Sequence, residues 1–343
     1  MSHQDSFNST CAILGCTTKE FYAVYESEAP EFDTDTLSQQ ILTNVIPVRR
    51  TCLNAANSEY SLEKLLTAML EYAPHTLGRR YVAVTLYIAN SKGQDVVIDV
   101  VRAWVENIFL PIIELFKAKI NGDLTPAMEE DPLKQKLSIR EQHHCAITQT
   151  LDIAFVYELI NQKRTQEIPG GVRQSPMKAT QIIPPSLGEF NDNTEAKPGF
   201  LDMVWSWTQI EIERIKRMIG TPRNAIYMTT AEDRSFRRFL FYLDGTLYPN
   251  KYMLRVLGNF FTLSNGKRSA EVEFRPSTDS GFDPPDPNLI KVHAAIAKVL
   301  GLSGVRRYFE RIELLDTEDS ALLVENESNF VSFLTSKLSL IAR

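Results

Sequence analysis

Apolar positions in the first third of the chain recur with a helical beat. Between residues 58 and 72, Leu62, Leu65, Leu66, Met69 and Leu70 share one helix face, and Ser61 stands where an N-cap accepts a backbone amide. Residues 78–90 and 95–119 keep the same period, the second carried by Val97, Val100, Val101, Trp104, Ile108, Leu115 and Phe116. Pro111 removes an amide donor inside that run and should kink or break it. Residues 12–25 mix apolar and β-branched side chains, which predicts one or two strands. The pattern as a whole describes a mainly helical region over residues 1–122, with its Trp and Phe side chains in the core.

Residues 121–134 combine Gly, Pro and an acidic run and read as a linker. From 135 to 343 the apolar runs shorten. Those at 145–148, 153–160 and 180–183 predict strands, with a strand followed by a helical turn as the alternative for the second. Pro184 and Pro185 stop the third. Residues 165–177 and 188–199 read as loops. Residues 200–219 predict one helix ended by Gly220 and Pro222. A short element at 225–229, a helix at 231–241 and strands at 251–263 and 269–274 follow. Residues 283–287 read as a Pro/Asp linker. Residues 288–302 form an amphipathic helix with Val292, Ala295, Ile296 and Val299 on one side, and 329–341 a terminal helix. The fold class expected is α+β, a helical N-terminal region followed by an α+β region.

Composition narrows the class. With 343 residues, 43% hydrophobic and 23% charged, the chain can bury a core without disulfides or metals. A net charge of −6 weighs against a dedicated non-specific nucleic-acid binder. A local positive bias remains at Arg214, Lys216, Arg217, Arg223, Arg234, Arg237 and Arg238. It reads either as a solvated face paired with Glu211, Glu213, Glu232 and Asp233, or as a surface for phosphate, nucleotide or carboxylate. Cys11, Cys16, Cys52 and Cys145 fit neither a disulfide framework nor a Cys-x-x-Cys zinc site, so reduced thiols in an intracellular protein, cytoplasmic or nuclear, are expected. The polar start has no secretory pattern. The longest apolar candidate for a membrane span, 96–115, is interrupted by Asp99, Arg102, Glu106 and Glu114, so no membrane partner is expected.

Three segments carry the chemistry: Leu137-Ser-Ile-Arg-Glu-Gln-His-His-Cys145-Ala-Ile-Thr148, Ala179-Thr-Gln181-Ile-Ile-Pro-Pro-Ser-Leu187, and Asn224-Ala-Ile-Tyr-Met-Thr-Thr-Ala-Glu-Asp233-Arg-Ser-Phe-Arg-Arg-Phe239. In order and spacing they resemble the signature stretches of the HNH-nuclease-like proteins of mushroom-forming fungi. That family typically has Arg-Asp…Arg-Cys…Thr-Gly, then Ala-His-Ile-Ile-Pro-Phe-Ser-Leu, then an Asn followed nine residues later by His before Phe-Gly-Arg-Phe. Met69-Leu-Glu-Tyr-Ala-Pro74, Gly78-Arg-Arg-Tyr81, Trp104, Phe109-Leu-Pro111 and Val292-His-Ala-Ala-Ile-Ala297 are also similar to that family, so the resemblance spans nearly the whole chain.

The resemblance implies a ββα-metal (HNH-like) core with added strands and helices. In such a site a hairpin histidine takes a proton from water and a divalent metal stabilises the charge on the scissile phosphate. Here Gln181 occupies the base position, Asp233 the helix position, Asn224 is retained, and Arg237 and Gln149 stand where the family has Gly. An amide takes no proton near neutral pH, and a positioned base is worth about 100- to 10,000-fold in rate. A carboxylate can hold Mg²⁺ or Ca²⁺. The cofactor is therefore undetermined, with Mg²⁺ on Asp233 and Asn224 as the implied set.

The expectation is the nuclease fold without ordinary nuclease activity, in a binding or regulatory pseudo-nuclease. The partner expected is an anionic or small organic ligand, with nucleic acid the less favoured one. An alternative is a cleft reused on a small molecule of fungal secondary metabolism, with Asp233, Asn224, Glu232, Arg237, His144 and Tyr242 as polar groups in an apolar pocket. A further alternative is a slow metal-dependent endonuclease. A filled site favours the first reading, a deep apolar cavity the second and a shallow basic groove the third. His144 with Cys145 is weighed as part of a metal set with Asp233, against a surface or hydrogen-bonded role. His293 is expected to be structural and His75 a cap. Trp205 and Trp207, two apart on a helix, cannot share a face.

Overall fold

The computed structural model describes residues 7–49, 53, 60–121, 131–185, 200–258 and 262–310. The loop at 188–199, the tail at 329–341 and most of the 121–134 linker lie outside the described residues. Helices α1 (Asn8–Leu14) and α2 (Thr18–Tyr25) stand where the sequence predicted strands. Gly15, at φ 59°, ends α1 in the left-handed region. Thr17 then opens α2 reciprocally: the Glu20 amide donates to its hydroxyl at 3.2 Å, and the Thr17 amide donates to the Glu20 carboxylate at 2.6 Å. These caps outweigh the β-propensity of the scattered Thr, Ile and Val residues.

Helices α3 (Thr34–Gln40), α4 (Leu62–Glu71), α5 (Thr76–Lys92), α6 (Gln94–Trp104) and α7 (Leu110–Asn121) follow. Ser61 caps α4 by accepting the Lys64 amide, and His75 caps α5 by accepting the Leu77 amide at 3.1 Å. α6 runs into α7 through a widened π-type turn, Val105–Phe109. The disruption expected at Pro111 takes that form, with the proline in the first turn of α7.

The second region begins with α8 (Pro132–Arg140), capped by Asp131. Residues 145–148 make a turn rather than the expected strand, closed by Gln149 at φ 59° where the resembled family has Gly. β1 (Leu151–Asp152) leads into α9 (Ile153–Asn161), a helix where a strand was the first expectation, because the Asp152 side chain caps the Ala154 amide at 3.0 Å. β2 (Gln174–Ser175) pairs parallel with β1. β3 (Met177–Gln181) is followed by α10 (Phe200–Thr208) and α11 (Ile212–Met218). These two replace the single helix expected over 200–219. Gln209, at φ 57°, breaks the chain between them, and the apolar rhythm continues because both pieces bury a face.

β4 (Ala225–Thr229) pairs antiparallel with β3, placing Thr180 opposite Ile226 and Gln181 opposite Ala225. α12 (Thr230–Arg237) follows directly. The helix expected over 231–241 therefore stops early. Phe239 turns out at φ 53°, and Phe241 opens β5 (Phe241–Gly245), which joins β6 (Lys251–Val256) and β7 (Ser269–Glu273) in an antiparallel meander. Helix α13 (Pro287–Ser303) follows, ended by Gly304 in the left-handed region, and residues 305–310 are helical again.

Among the described residues 61% are helical and 12% are in strands, so the chain is α+β. One buried cluster takes Leu66, Tyr81 and Trp104 from the first region together with Trp207, Tyr227, Phe236 and Val299 from the second. α4 and α13 are tied by the Ser61 amide donating to the Ser303 carbonyl at 2.9 Å, and the Tyr60 and Tyr308 rings meet at 5.2 Å. Trp207 is fully buried and its indole donates to the Met69 carbonyl, while Trp205 is half-buried, so the two tryptophans diverge as expected. Among the described residues no helix is long and apolar enough to cross a membrane.

Candidate functional site

The β3–β4 pair and α12 bring most of the sequence-predicted residues into one strand–strand–helix unit. Asn224, fully buried just before β4, is bound to the chain leaving β3. Its side-chain oxygen accepts the Ile183 amide at 2.9 Å, and its nitrogen donates to the Ile183 carbonyl at 2.9 Å and to Gln181 Oε1 at 3.2 Å. Gln181 and Asn224 therefore meet, and Asn224 holds the loop after β3. α12 begins with the Thr229 hydroxyl accepting the Glu232 amide, which points the helix start at the strand pair.

One turn into α12, the buried Asp233 carboxylate accepts from the Thr180 hydroxyl at 2.8 Å and from Arg237 Nε at 2.7 Å, all through Oδ1. The Asp233 and Arg237 side chains are only 6% and 11% exposed. Thr180 and Gln181 are neighbours on β3, so their side chains leave on opposite faces. The threonine takes the helix-facing place, and the glutamine reaches Asn224. Glu232 is buried too, bound by the Thr229 hydroxyl and by the Ser264 amide at 2.8 Å.

Two predicted site residues are not brought in. His144 lies on the turn after α8, its Nδ1 against the Gln142 carbonyl at 2.6 Å, and among the described residues no contact joins it to Gln181, Asn224 or Asp233. The strand expected there is a turn. His143 instead stacks on Phe155 at 3.7 Å. Tyr242 sits on β5 with its ring under the Lys298 ammonium at 4.9 Å, in a different part of the fold. The metal set of His144, Cys145 and Asp233 fails for the same reason. The Cys145 thiol is buried, which raises its pKa, and it accepts the Thr148 amide.

The implied Mg²⁺ pair does not fit either. Mg²⁺ needs uncommitted oxygen donors and unbalanced negative charge. A guanidinium already neutralises Asp233, and the Asn224 oxygen is committed to Ile183. Among the described residues no group of three or more His, Cys, Asp and Glu side chains is placed to hold a metal ion.

Sequence reasoning missed three residues. Thr180, beside the base position, is the hydroxyl that meets Asp233. A polar residue in the strand run next to Gln181 was the available signal. Arg140, in the first signature segment, is fully buried. It pairs with Glu141 at 2.7 Å and donates to the carbonyls of Pro222, Ala225 and Asp283 at 2.8, 2.9 and 3.0 Å, fixing the turn that presents Asn224. A side chain making that many bonds is positional, and nothing local announces its distant partners. Asp286, read as part of a linker, is a buried carboxylate bound by Arg214 and Arg223.

Compared with known proteins, the chain matches no family model, no curated sequence and no solved structure.

Proposed function

We propose that this chain is an HNH-like scaffold that has lost phosphodiester hydrolysis and acts as a binding or regulatory protein. The observation that carries the reading is the closed state of the position where the metal and base would work. Asp233 is held by Thr180 and neutralised by Arg237, and Gln181 meets Asn224 through its amide. A proton acceptor and an open cation position are the two things hydrolysis needs there. Convergence of the three signature segments also supports the reading: Ala146 in the first bonds Tyr227 in the third, and β3 in the second pairs with β4.

The small-molecule alternative needs an apolar cavity at the site. The apolar crevice beside Ile183 and Pro184 offers about 20 Å³, room for about one water and too little for an organic substrate.

Plasmid nicking with Mg²⁺ or Mn²⁺ tests the proposal. The native chain is expected to leave supercoiled DNA intact. Gln181→His with Asp233→His and Arg237→Gly, which restores the family pattern and removes the neutralising cation, is expected to nick it. Efficient cutting by the native chain would sink the proposal.

A further inference from the structure

A second concave surface lies on the outer side of the turn that presents Asn224. It is a groove of about 620 Å³, within the roughly 300–1,000 Å³ range of small-molecule sites. Arg214, Arg217 and Arg223 line it, with Thr221, Phe282 and Asp283 among its other walls, whereas Gln181, Asn224 and Asp233 do not. Arg214 and Arg217 lie three apart on α11 and so share a side of that helix. Arg223 comes from the following turn.

The orientation of two of these arginines is built in. Asp286 is only 2% exposed, and one of its oxygens takes both Arg214 Nη2 at 3.0 Å and Arg223 Nη2 at 2.8 Å. Its other oxygen caps α13 at the Asn288 amide, 2.9 Å away. A further backbone bond, from the Asp286 amide to the Arg223 carbonyl at 2.7 Å, fixes the carboxylate to the same turn. Burial works against charge on Asp286, but its Arg214 and Asn288 bonds outweigh this and hold its carboxyl below the usual range. The arginine side chains remain 40% and 50% exposed, so each presents donors outward while one end is held from beneath.

Charge also favours an occupant of the opposite sign. The lining and its support carry three guanidiniums against two carboxylates, Asp286 below and the exposed Asp283 at the side. An excess of cation on a chain of net charge −6 is a local feature that the overall balance does not supply. Guanidiniums present several donors in a fixed fork, the geometry suited to phosphoryl oxygens. Pre-orientation by a buried carboxylate lowers the ordering entropy lost when they bind.

We propose that this groove binds a small phosphorylated molecule through Arg214, Arg217 and Arg223. The proposal does not depend on the HNH-like reading, because no residue of that unit lines the groove.

Calorimetric titration of the full chain with inorganic pyrophosphate tests it. Saturable binding of one pyrophosphate per chain is expected, weakening as salt rises. Arg217→Ala should weaken it about 10- to 100-fold, the loss of a charge-assisted contact, with the melting temperature held close to native because Arg217 is exposed. Arg217→Lys should recover part of the affinity. Absence of saturable binding at millimolar pyrophosphate overturns the proposal, and so does binding that Arg217→Ala leaves intact. A short oligonucleotide that binds with the same Arg217 dependence while pyrophosphate does not would overturn it in favour of a polymer ligand.

Discussion

Asp202 and His293 are buried ionisable residues whose contributions to stability change with pH in opposite directions. Asp202 lies at the start of α10, bound to the Ser9 amide at 3.0 Å, and burial raises its pKa to about 6. His293 on α13 is stacked on Phe236 at 3.6 Å, and burial lowers its pKa to about 3. Unfolded reference values are roughly 3.9 and 6.5. The Asp202 contribution is fully present below about pH 4 and is lost as pH rises through about 6. The His293 contribution is present above about pH 6.5 and is lost as pH falls toward 3. Between pH 4 and 6 the two slopes oppose each other. Asp202→Asn should therefore make stability fall more steeply than native as pH drops from 6.5 to 4.5, and His293→Leu should make it fall more steeply as pH rises over the same window. Urea midpoints of the three chains at several pH values read this out. Other titrating groups are common to all three, so parallel profiles would refute the assignment.

At the scale of elements, the approach of α5 to α10 depends on a missing side chain. A Cβ added at Gly78 would lie 1.9 Å from the Trp207 carbonyl oxygen and 2.8 Å from its carbonyl carbon. Both are backbone atoms, so relief requires the helices to separate. That would disturb the Trp207 bond to Met69 and its packing with Phe109, whose rings now meet at 5.6 Å. Gly78→Ala is expected to cost about 3 kcal/mol or more, at the upper end for overpacking. A denaturant midpoint within about 0.5 kcal/mol of native, the usual range for a surface change, would show that the two helices separate freely.

For the molecule as a whole, the α4–α13 contact and the shared buried cluster join the helical region to the α+β region. Neither set of elements buries its apolar face without the other. The expected behaviour is one unfolding transition, with tryptophan fluorescence, which reports on Trp104, Trp205 and Trp207, coincident with far-ultraviolet circular dichroism. Two resolved transitions would mean that the regions fold as separate units. Within the α+β region the polar interior works over similar separations, since Arg140 donates to the Asp283 carbonyl and Asp286 binds Arg214, each pair far apart in sequence.

The residues alone determined the helices over Leu62–Glu71, Thr76–Lys92 and Pro287–Ser303, because an apolar face and a capping side chain are information carried within a few turns. The resemblance carried by the three segments singled out Gln181, Asn224 and Asp233 as positions to compare. Periodicity failed where two short elements bury faces in succession, as at Gln209 and at Phe239, because the rhythm does not register a single left-handed residue between them. Tertiary structure decided the rest. It set Thr180 and Arg237 on Asp233, placed Tyr242 beside Lys298 away from the strand pair, and brought Asp286 under two arginines 72 and 63 residues distant. The physical reason is that a buried charge takes its state from whichever partner the fold places against it, and strand pairing and helix packing select that partner over separations that no local pattern spans.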